Sequence, residues 1–479
     1  MKTITVLFSF LLSAFSLNTY SQKQIVSNFN GQNGSAVTHQ AVEGEPLSEE
    51  YSVSVNGKNV PVYTARVDPL YRNSPLKMDD TYSFASFECT GPVEVVVRST
   101  KPLSAFSIRP NGEDLAVNLK GHEATFVLER NGNFLIERNG NGRKDPLLLF
   151  ANPHEANSPE LGAPGVIYFG PGRYNPGLIS LSSNQTLYID GGAIVTGRVV
   201  AKGDNIKILG RGLLENSGQE YDGKNMILLE GCTNAQIEGI IIRKNSQHWT
   251  IKVVQCKDVL ISNVKICGSF YRNDDGIDPV NTSDMLIEDC FIRTKDDCLA
   301  FKGMDNGLSN CENITVNHTT MWSDKCCTIL LGDESRATFM RNITIRDCFV
   351  PYLSFEGFPK KFLMLHSGED MWMENLLFEN IDIGGEGQER NYIEISCEFN
   401  QYSKTKTAGH IRNVLLKNVH LTGKEGPYNI VIKGYDKSHG IEDLTFENCT
   451  INGKPLTKKS PNLQIGEFTK NIRFTSQQQ

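Results

Sequence analysis

The chain of 479 residues carries a formal net charge of −7, with 22% charged and 39% hydrophobic residues. This length is enough for two domains or for one extended domain. A net negative chain excludes the basic groove of a nucleic-acid-binding protein and the basic face of a membrane-surface protein. We therefore expect neither nucleic acid nor a membrane as a partner.

The first 21 residues have the features of a cleavable export signal. Lys2 supplies the positive charge, and residues 4–17 form an apolar run of 14 residues, shorter than the about 20 that a membrane-spanning helix needs. Small residues then precede the cut, which is expected after Ser21. The sequence predicts a secreted or periplasmic protein with a mature net charge of −8, since Lys2 is removed (−7 − 1).

Residues 22–152 alternate apolar and polar positions in the manner of short strands. The stretches "EYSVSVNGKNVPVYTARV" and "EATFVLERNGNFLIER" carry the turn signals VNGK and RNGN between alternating segments. This pattern predicts a small antiparallel β-sandwich domain. A link rich in Pro, Gly and Asn, "ANPHEANSPELGAPG", leads into the second domain, which we assign to residues 153–479.

From residue 184 onward the sequence returns to one phrase, a turn residue followed by short apolar alternation, as in "DVLISNVKI" and "NITIRDCFV". Strands this short, recurring this regularly, are typical of a parallel β-helix, in which each repeat is one coil and pairs with the coils above and below. A leucine-rich-repeat solenoid is excluded because its leucine spacing is absent. We predict an all-β chain whose turn residues form side-chain ladders. These residues are Asn184, Asn205, Asn234, Asp258, Asp284, Asn313, Asn342, Asn375, Asn413 and Asp443.

Twelve cysteines in an exported protein would usually suggest disulfides. Cys290, Cys348 and Cys449, however, recur in phase in "IEDCFI", "IRDCFV" and "FENCTI". Residues that recur in phase stack in the core of a solenoid, so we expect these thiols to be buried, with one or two disulfides as the alternative. A second phase holds Cys232, Cys256 and Cys311.

Three carboxylates stand out from the repeat pattern. Asp275 lies 21 residues before Asp296, close to one coil, and Asp297 is adjacent to Asp296. Clustered carboxylates raise one another's pKa, which a fold tolerates mainly where function requires it. Glycosidic bond hydrolysis needs one protonated carboxyl and one ionised carboxyl. A calcium-dependent polysaccharide lyase also uses clustered carboxylates, and it stays open as an alternative. By contrast, Asp284 and Asp289 belong to the repeat phrase and are expected to be structural.

The stretches "NDDGIDP" and "DDCLAFKG" resemble the aspartate motifs of glycoside hydrolase family 28, the polygalacturonases. The resemblance covers about residues 165–455 and implies a right-handed, pectin-lyase-like β-helix without a cofactor or metal. It also implies that Asp296 is the general acid, that Asp275 and Asp297 position the water, and that the anomeric configuration inverts. Asp278 fits the same phrase and is expected to support the site.

Two departures from the family pattern bear on the substrate. Cys327 occupies the place of the histidine in the family's Gly-His-Gly motif, and Leu363 and Leu365 occupy the places of the cations in Arg-x-Lys. The related dextranases of family 49 combine a leading β-sandwich with a β-helix and lack both motifs. We therefore expect a neutral or partly charged glycan. A pectin-degrading enzyme stays open as an alternative, because loop cations could reach the uronate carboxylate in place of the missing pair. These cations are Lys360, Lys361 and Arg390.

Further residues are candidates for binding the sugar. His248 and Trp249 precede the aspartates by about one coil and would form a stacking wall, with coil packing as the alternative for Trp249. Lys302 follows the aspartate pair and would tune the acid or hold a hydroxyl group. The remaining candidates for substrate subsites are Trp322, Asp324, Glu334 and His366.

Together these features predict an exported inverting glycoside hydrolase, expected to be a monomer, that binds a polysaccharide or oligosaccharide. A calcium-dependent lyase and a non-catalytic glycan-binding β-helix are the alternatives. The lyase would release unsaturated ends, the hydrolase reducing ends, and the binding protein neither.

Overall fold

The computed structural model describes residues 34–476 except 69–80, 111, 113–114, 141, 157, 217–223, 245–247, 272, 305–309, 354–360, 385–390 and 424–427. The expected export signal, residues 1–21, lies outside this range. Within it the regular secondary structure is entirely strand, in agreement with the all-β prediction. The described residues accordingly contain no helix that is long and apolar enough to cross a membrane.

The N-terminal domain is a β-sandwich of a six-stranded and a five-stranded sheet. The pairing is antiparallel, as expected, except between β5 and β11, which run parallel. The six-stranded sheet contains β1 (Ser35–Val37), β4 (Val62–Arg66), β5 (Thr81–Thr90), β7 (Phe106–Arg109), β10 (Gly132–Arg138) and β11 (Leu147–Asn152). The five-stranded sheet contains β2 (Tyr51–Val55), β3 (Lys58–Val60), β6 (Val93–Ser99), β8 (Asn118–Lys120) and β9 (Glu123–Leu128).

The C-terminal domain is a parallel β-helix of 31 described strands, in which the strands pair in parallel with their equivalents one coil away, except that β39 pairs antiparallel with β38. Its coils have three faces, which we name sheets I, II and III. Sheet I contains β18 (Ile227–Glu230), β21 (Ile251–Val254), β24 (Ile277–Val280), β27 (Leu299–Phe301), β30 (Ile329–Gly332), β32 (Leu363–Ser367), β34 (Asn391–Cys397), β36 (Asn429–Lys433) and β40 (Leu463–Ile465).

Sheet II contains β12 (Val166–Phe169), β14 (Thr186–Ile189), β16 (Lys207–Gly210), β19 (Thr233–Glu238), β22 (Lys257–Ser262), β25 (Ser283–Glu288), β28 (Cys311–Asn317), β37 (Ile441–Glu447), β41 (Thr469–Lys470) and β42 (Arg473–Thr475). Sheet III contains β17 (Leu213–Glu215), β20 (Ile241–Arg243), β23 (Lys265–Cys267), β26 (Phe291–Thr294), β29 (Thr320–Ser323), β38 (Thr450–Ile451) and β39 (Lys454–Pro455). Five long strands bend from one face to the next: β13 (Gly172–Leu181), β15 (Ala193–Ala201), β31 (Phe339–Val350), β33 (Trp372–Gly384) and β35 (His410–Thr422).

The predicted turn residues form ladders along the helix axis. All ten have a positive φ, between 53° and 66°, a conformation that Asn and Asp tolerate better than other residues with a side chain. The Nδ2 group of Asn342 donates to Asn313 Oδ1 at 2.9 Å, and Asn375 donates in turn to Asn342 at 3.0 Å. Each of these side chains thus joins neighbouring coils, and the prediction is confirmed for the seven asparagines among the ten residues.

The core of the β-helix is a continuous apolar cluster in which inward side chains stack from coil to coil. It contains eight of the described cysteines, none of which forms a disulfide. The expectation of buried thiols is confirmed for both phases. These cysteines are Cys232, Cys256, Cys290, Cys298, Cys311, Cys348, Cys397 and Cys449.

The sandwich packs its six-stranded sheet against sheet III, which explains why β11 is buried at all six positions. Polar contacts cross the same interface. The Tyr82 hydroxyl donates to the Gly268 carbonyl at 3.0 Å, the Asp68 N–H donates to the Ser269 carbonyl at 2.9 Å, and Lys295 pairs with Asp68. The sandwich therefore contacts the loop that precedes Asp274 and Asp275.

Candidate active site

The aspartate pair lies in a bend rather than in a strand. Asp296 and Asp297 stand between β26 on sheet III and β27 on sheet I. The Gly276 N–H donates to the Asp297 carbonyl at 2.8 Å, which places Asp275 on the neighbouring coil beside Asp297. The bend is required because alternation along a strand would send two adjacent side chains to opposite faces.

Asp274, which sequence reasoning did not single out, organises this bend. Its carboxylate accepts hydrogen bonds from the backbone N–H groups of Lys295 (2.7 Å), Asp296 (2.9 Å) and Ser269 (2.9 Å). Burial raises the pKa of Asp274 to about 7, although these hydrogen bonds favour its ionised form. Its place next to Asp275 was the signal available in the sequence.

Lys302 is the centre of the acidic cluster. Its Nζ lies 2.8 Å from Glu334 Oε1, 3.6 Å from Asp275 Oδ2 and 3.9 Å from Asp278 Oδ1. Burial disfavours the charge on Lys302, but the three carboxylates outweigh it and raise the pKa of the ammonium well above its ordinary value. Lys302 therefore stays protonated and holds the negative charges together.

The two carboxylates beside Lys302 resist ionisation. Burial, with Asp278 and Asp296 nearby, raises the pKa of Asp275 well above its ordinary value. Burial also raises the pKa of Asp278 to about 8, and the Asp278 oxygens have no hydrogen-bond partner among the described residues. Lys302 acts in the opposite direction on both groups. Perturbation of this kind is typical of catalytic clusters.

The raised pKa of Asp278 predicts a pH dependence of stability. An ordinary aspartate has a pKa of about 3.9, so between about pH 4 and pH 8 the folded protein holds a proton at Asp278 that the unfolded chain has released. The free energy of unfolding therefore falls as the pH rises through this range. We expect the urea midpoint to be lower at pH 8 than at pH 5.5, and Asp278→Asn to reduce that difference. Asp258→Asn, at an exposed turn, should keep the full difference, and an unchanged difference in Asp278→Asn would contradict the assignment.

Asp296 and Asp297 differ in exposure and in contacts. Asp297 is buried, and its Oδ1 accepts the Cys327 N–H at 2.8 Å, whereas Asp296 is partly exposed and accepts the N–H of Asn273 at 3.1 Å. One carboxylate oxygen of each lies within 4.8 Å of the other and of Cys326 Sγ. The partly exposed Asp296 is thus the carboxyl that a substrate can approach, and Asp275 and Asp297 lie deeper.

Lys244 is a second cation that sequence reasoning missed. It is 2% exposed, and its ammonium has no hydrogen-bond partner among the described residues. Burial lowers its pKa to about 8, while the charges of Asp274 and Asp275 act in the opposite direction. Lys244 follows β20 directly, just as Gly268 follows β23 on the next coil. This position was the only indication in the sequence that Lys244 lies near the aspartates.

Trp249 and His248 lie one coil before the aspartates, as predicted. The Thr250 N–H donates to the Asp275 carbonyl at 2.7 Å. The Trp249 ring is buried. The ammonium groups of Lys302 and Lys252 lie over it, 4.1 Å and 4.8 Å from its centroid. Trp249 thus packs directly against the cluster, and its role as a stacking wall for sugar stays a prediction.

Two further candidates lie near the cluster on the outer face of sheet I. Glu334 is partly exposed and bound to Lys302. His366 lies in the same outward row as Lys302, but Nδ1 lies 3.0 Å from Asp333 Oδ1 and Nε2 lies 3.2 Å from the Glu398 carbonyl oxygen. Both ring nitrogens of His366 are therefore engaged within the protein.

The predicted subsite roles of Trp322 and Asp324 are wrong. Both side chains are fully buried, Trp322 in the interface between sheet III and the sandwich. Trp322 Nε1 donates to Asp324 Oδ1 at 2.8 Å, and the Arg293 guanidinium binds the other oxygen. The two residues pack the site from behind because their strand belongs to sheet III, which sequence distance from the aspartates did not reveal.

The placement of Leu363 and Leu365 also needs correction. Both side chains point into the apolar core, so no cation could stand at either position. The outward residues of β32 are Met364 and His366, in register with Leu330 and Gly332. A shift of one residue in a strand exchanges its two faces, and the outward-pointing positions of this coil are therefore Met364 and His366. Of the loop cations, Lys360 and Arg390 lie outside the described residues, and Lys361 pairs with Glu394 at 2.5 Å.

Known relatives are similar to part of the chain. A probable exopolygalacturonase B of Neosartorya fischeri is 24% identical over 314 residues, 57% of this chain and 60% of the relative. Exopolygalacturonase B of Aspergillus niger is 26% identical over 255 residues, 47% of this chain and 56% of the relative. The match thus spans less than two thirds of each relative's length.

Two solved structures show the same fold. Dex49A from Penicillium minioluteum superposes with a TM-score of 0.65 at 16% identity, covering 91% of this chain and 97% of that protein. A family 28 exopolygalacturonase of Yersinia enterocolitica gives 0.50 at 14% identity, covering 92% and 96%. At these identities the likeness concerns the fold alone, and it extends over both domains.

The family model described as Glycosyl hydrolases family 28 matches residues 179–470. This match covers more than half of the chain and includes the whole acidic cluster. It agrees with the resemblance seen in the two aspartate motifs. The chain belongs to glycoside hydrolase family 28.

Proposed function

We propose that this protein is an exported, monomeric glycoside hydrolase that cleaves a polysaccharide with inversion of configuration. The observation that carries the proposal is the convergence of Asp275, Asp278 and Asp296–Asp297 around Lys302 in a family 28 chain. Such a cluster supplies both a proton donor and a water-activating carboxylate.

Asp296 is assigned as the general acid because it is the most accessible carboxyl of the catalytic three. Its proton goes to the glycosidic oxygen as the bond to the anomeric carbon breaks. Asp275 and Asp297 bind a water molecule and take its proton as the oxygen attacks the opposite face of the sugar. In inverting glycosidases the acid and the base are typically about 6.5–9.5 Å apart, whereas one oxygen of Asp296 lies within 4.8 Å of one oxygen of Asp297.

Lys302 favours the ionised forms of the deeper carboxylates, which a base requires. Burial and the neighbouring aspartates raise the pKa of Asp275, and a protonated carboxyl cannot activate water. The ammonium 3.6 Å away favours the ionised form, and the Cys327 N–H does the same for Asp297. Lys302 is therefore a positioning and charge-balancing residue.

The outer face of sheet I favours a neutral or partly charged glycan. Next to the acidic cluster lies a small apolar cluster, which consists of Ala300, Cys327, Leu330 and Met364. Among the cations on this face, Lys302 and Lys361 are paired with carboxylates of the protein, and Lys252 lies over the Trp249 ring. A uronate carboxylate buried here without a cation would cost several kcal/mol.

Side-by-side assays test this proposal. We expect dextran or a mixed plant or algal polysaccharide to be cleaved faster than polygalacturonic acid at equal sugar concentration, measured as reducing ends. Proton NMR of the first products should show the inverted anomer. Faster cleavage of polygalacturonate would favour the alternative of a pectin-degrading enzyme. Unsaturated products that absorb in the ultraviolet would identify a lyase instead.

A further inference from the structure

A second group of functional side chains lies away from the acidic cluster, at the turn from sheet I to sheet II. It consists of Asp370 after β32, His410 at the start of β35 and His439 shortly before β37. These residues belong to three consecutive coils. The aspartates Asp275, Asp296 and Asp297, by contrast, lie before the starts of β24 and β27, at the other end of sheet I and on earlier coils.

The geometry of the three side chains is that of a metal site. His410 Nε2 lies 3.0 Å and His439 Nε2 lies 3.7 Å from the same oxygen, Asp370 Oδ1. All three potential ligand atoms lie within 4.8 Å of one another. A tetrahedral ion with bonds of about 2.0–2.2 Å holds its ligand atoms about 3.3–3.6 Å apart, so small rotations of the side chains suffice.

Both imidazoles are held in place by their neighbours. His439 Nδ1 lies 2.9 Å from Asp436 Oδ1, and the same oxygen accepts the backbone N–H groups of Ser438 and His439 at 2.8 Å each. A carboxylate on Nδ1 directs the lone pair of Nε2 outward, as in carboxylate–histidine–zinc sites. The ring of His410 stacks on Trp372 with centroids 4.0 Å apart and planes 9° apart.

We propose that Asp370, His410 and His439 form a binding site for a divalent transition-metal ion, best suited to Zn²⁺. Two imidazole nitrogens and one carboxylate oxygen are ligands that Zn²⁺ takes readily, while Ca²⁺ prefers oxygen ligands. The carboxylate is 70% exposed and both imidazoles are mostly covered. An ion can thus enter from solvent, with water as the fourth ligand.

The ion would join three successive coils. In a solenoid each coil contacts only its neighbours, so the coils near an end open most readily. A ligand that binds the folded state alone stabilises it by mass action. An ion bound at the proposed site would therefore stabilise the C-terminal coils. This proposal does not depend on the proposed hydrolytic function.

Zinc titration of the untagged, metal-free protein by calorimetry tests the proposal. We expect one ion per chain, and we expect His410→Gln and His439→Gln each to weaken zinc binding by at least about 10-fold. Asp436→Asn should weaken it by about 10-fold through the orientation of His439, in the range known for such indirect partners. His420→Gln, a change in another β35 histidine that binds Thr450, should leave it unchanged.

A thermal melt gives an independent readout. Zinc should raise the melting temperature of the wild type more than that of His439→Gln at the same zinc concentration, and both should hydrolyse glycan equally. The groups Asp296, Asp297 and Cys326 are a competing zinc site, which Cys326→Ser distinguishes. The proposal fails if the wild type binds no zinc, if both histidine variants bind it with wild-type affinity, or if only Cys326→Ser loses it.

Discussion

Replacing Asp296 with asparagine is expected to lower glycan turnover by about 10²–10⁴-fold, the usual contribution of a general acid. The reason is that asparagine has no proton to give to the leaving oxygen, although it keeps the size and an acceptor for the Asn273 N–H. Rates of reducing-end release at saturating substrate measure the effect directly. The KM should change much less than kcat, since the amide still fills the same space.

Two controls make this result specific. Asp289→Asn introduces the same change at a turn between sheets II and III, away from the cluster, and should keep wild-type activity. The melting temperature of Asp296→Asn should stay close to that of the wild type because the side chain is partly exposed. Wild-type turnover in Asp296→Asn would place the acid elsewhere, with Asp275 as the next residue to change.

The second large effect concerns stability. Asp324→Ala is expected to lower the free energy of unfolding by about 3–5 kcal/mol, because it leaves the Arg293 guanidinium buried without its counter-charge. Both side chains of this ion pair are fully buried. The Arg293 guanidinium lies 3.7 Å from the Trp322 ring centroid and 4.1 Å from that of Tyr82, so its surroundings apart from Asp324 are largely apolar. Urea unfolding measures the change.

The paired variant Arg293→Met with Asp324→Leu supplies the control. Removing both charges leaves no unpaired ion, so part of the stability should return relative to Asp324→Ala. A role of Asp324 in a sugar subsite predicts the opposite pattern, a raised KM in Asp324→Asn with unchanged stability. That pattern would overturn the structural assignment.

The repeat phrases predicted the β-helix because each coil is determined by its own turn residues and by its contacts with the neighbouring coils. An Asn or Asp at a turn both tolerates a positive φ and bonds to its equivalent on the next coil, so residues such as Asn313 and Asn342 mark the coils in the sequence. The adjacent pair Asp296–Asp297 marked the site for a related reason. Two neighbouring carboxylates fit neither face of a strand, which indicates a bend.

What the sequence did not reveal is which face each outlying residue occupies. Coil lengths vary with the loops, so the sequence did not show that Trp322, a candidate for a substrate subsite, lies on sheet III against the sandwich. At Leu363 an error of one position was enough to exchange core for surface. Lys244 was missed because a lone lysine after a strand carries no pattern, and only the folded coils bring it near Asp274.

The regular stacking of coils also sets a length scale. Parallel strands repeat every 4.7–4.9 Å or so along the axis, close to the length of one sugar ring in an extended glycan. A chain lying along sheet I therefore meets one new coil with each sugar. Under the proposed function, adding or removing a single coil beyond β30 would change the number of sugars recognised without moving the catalytic aspartates.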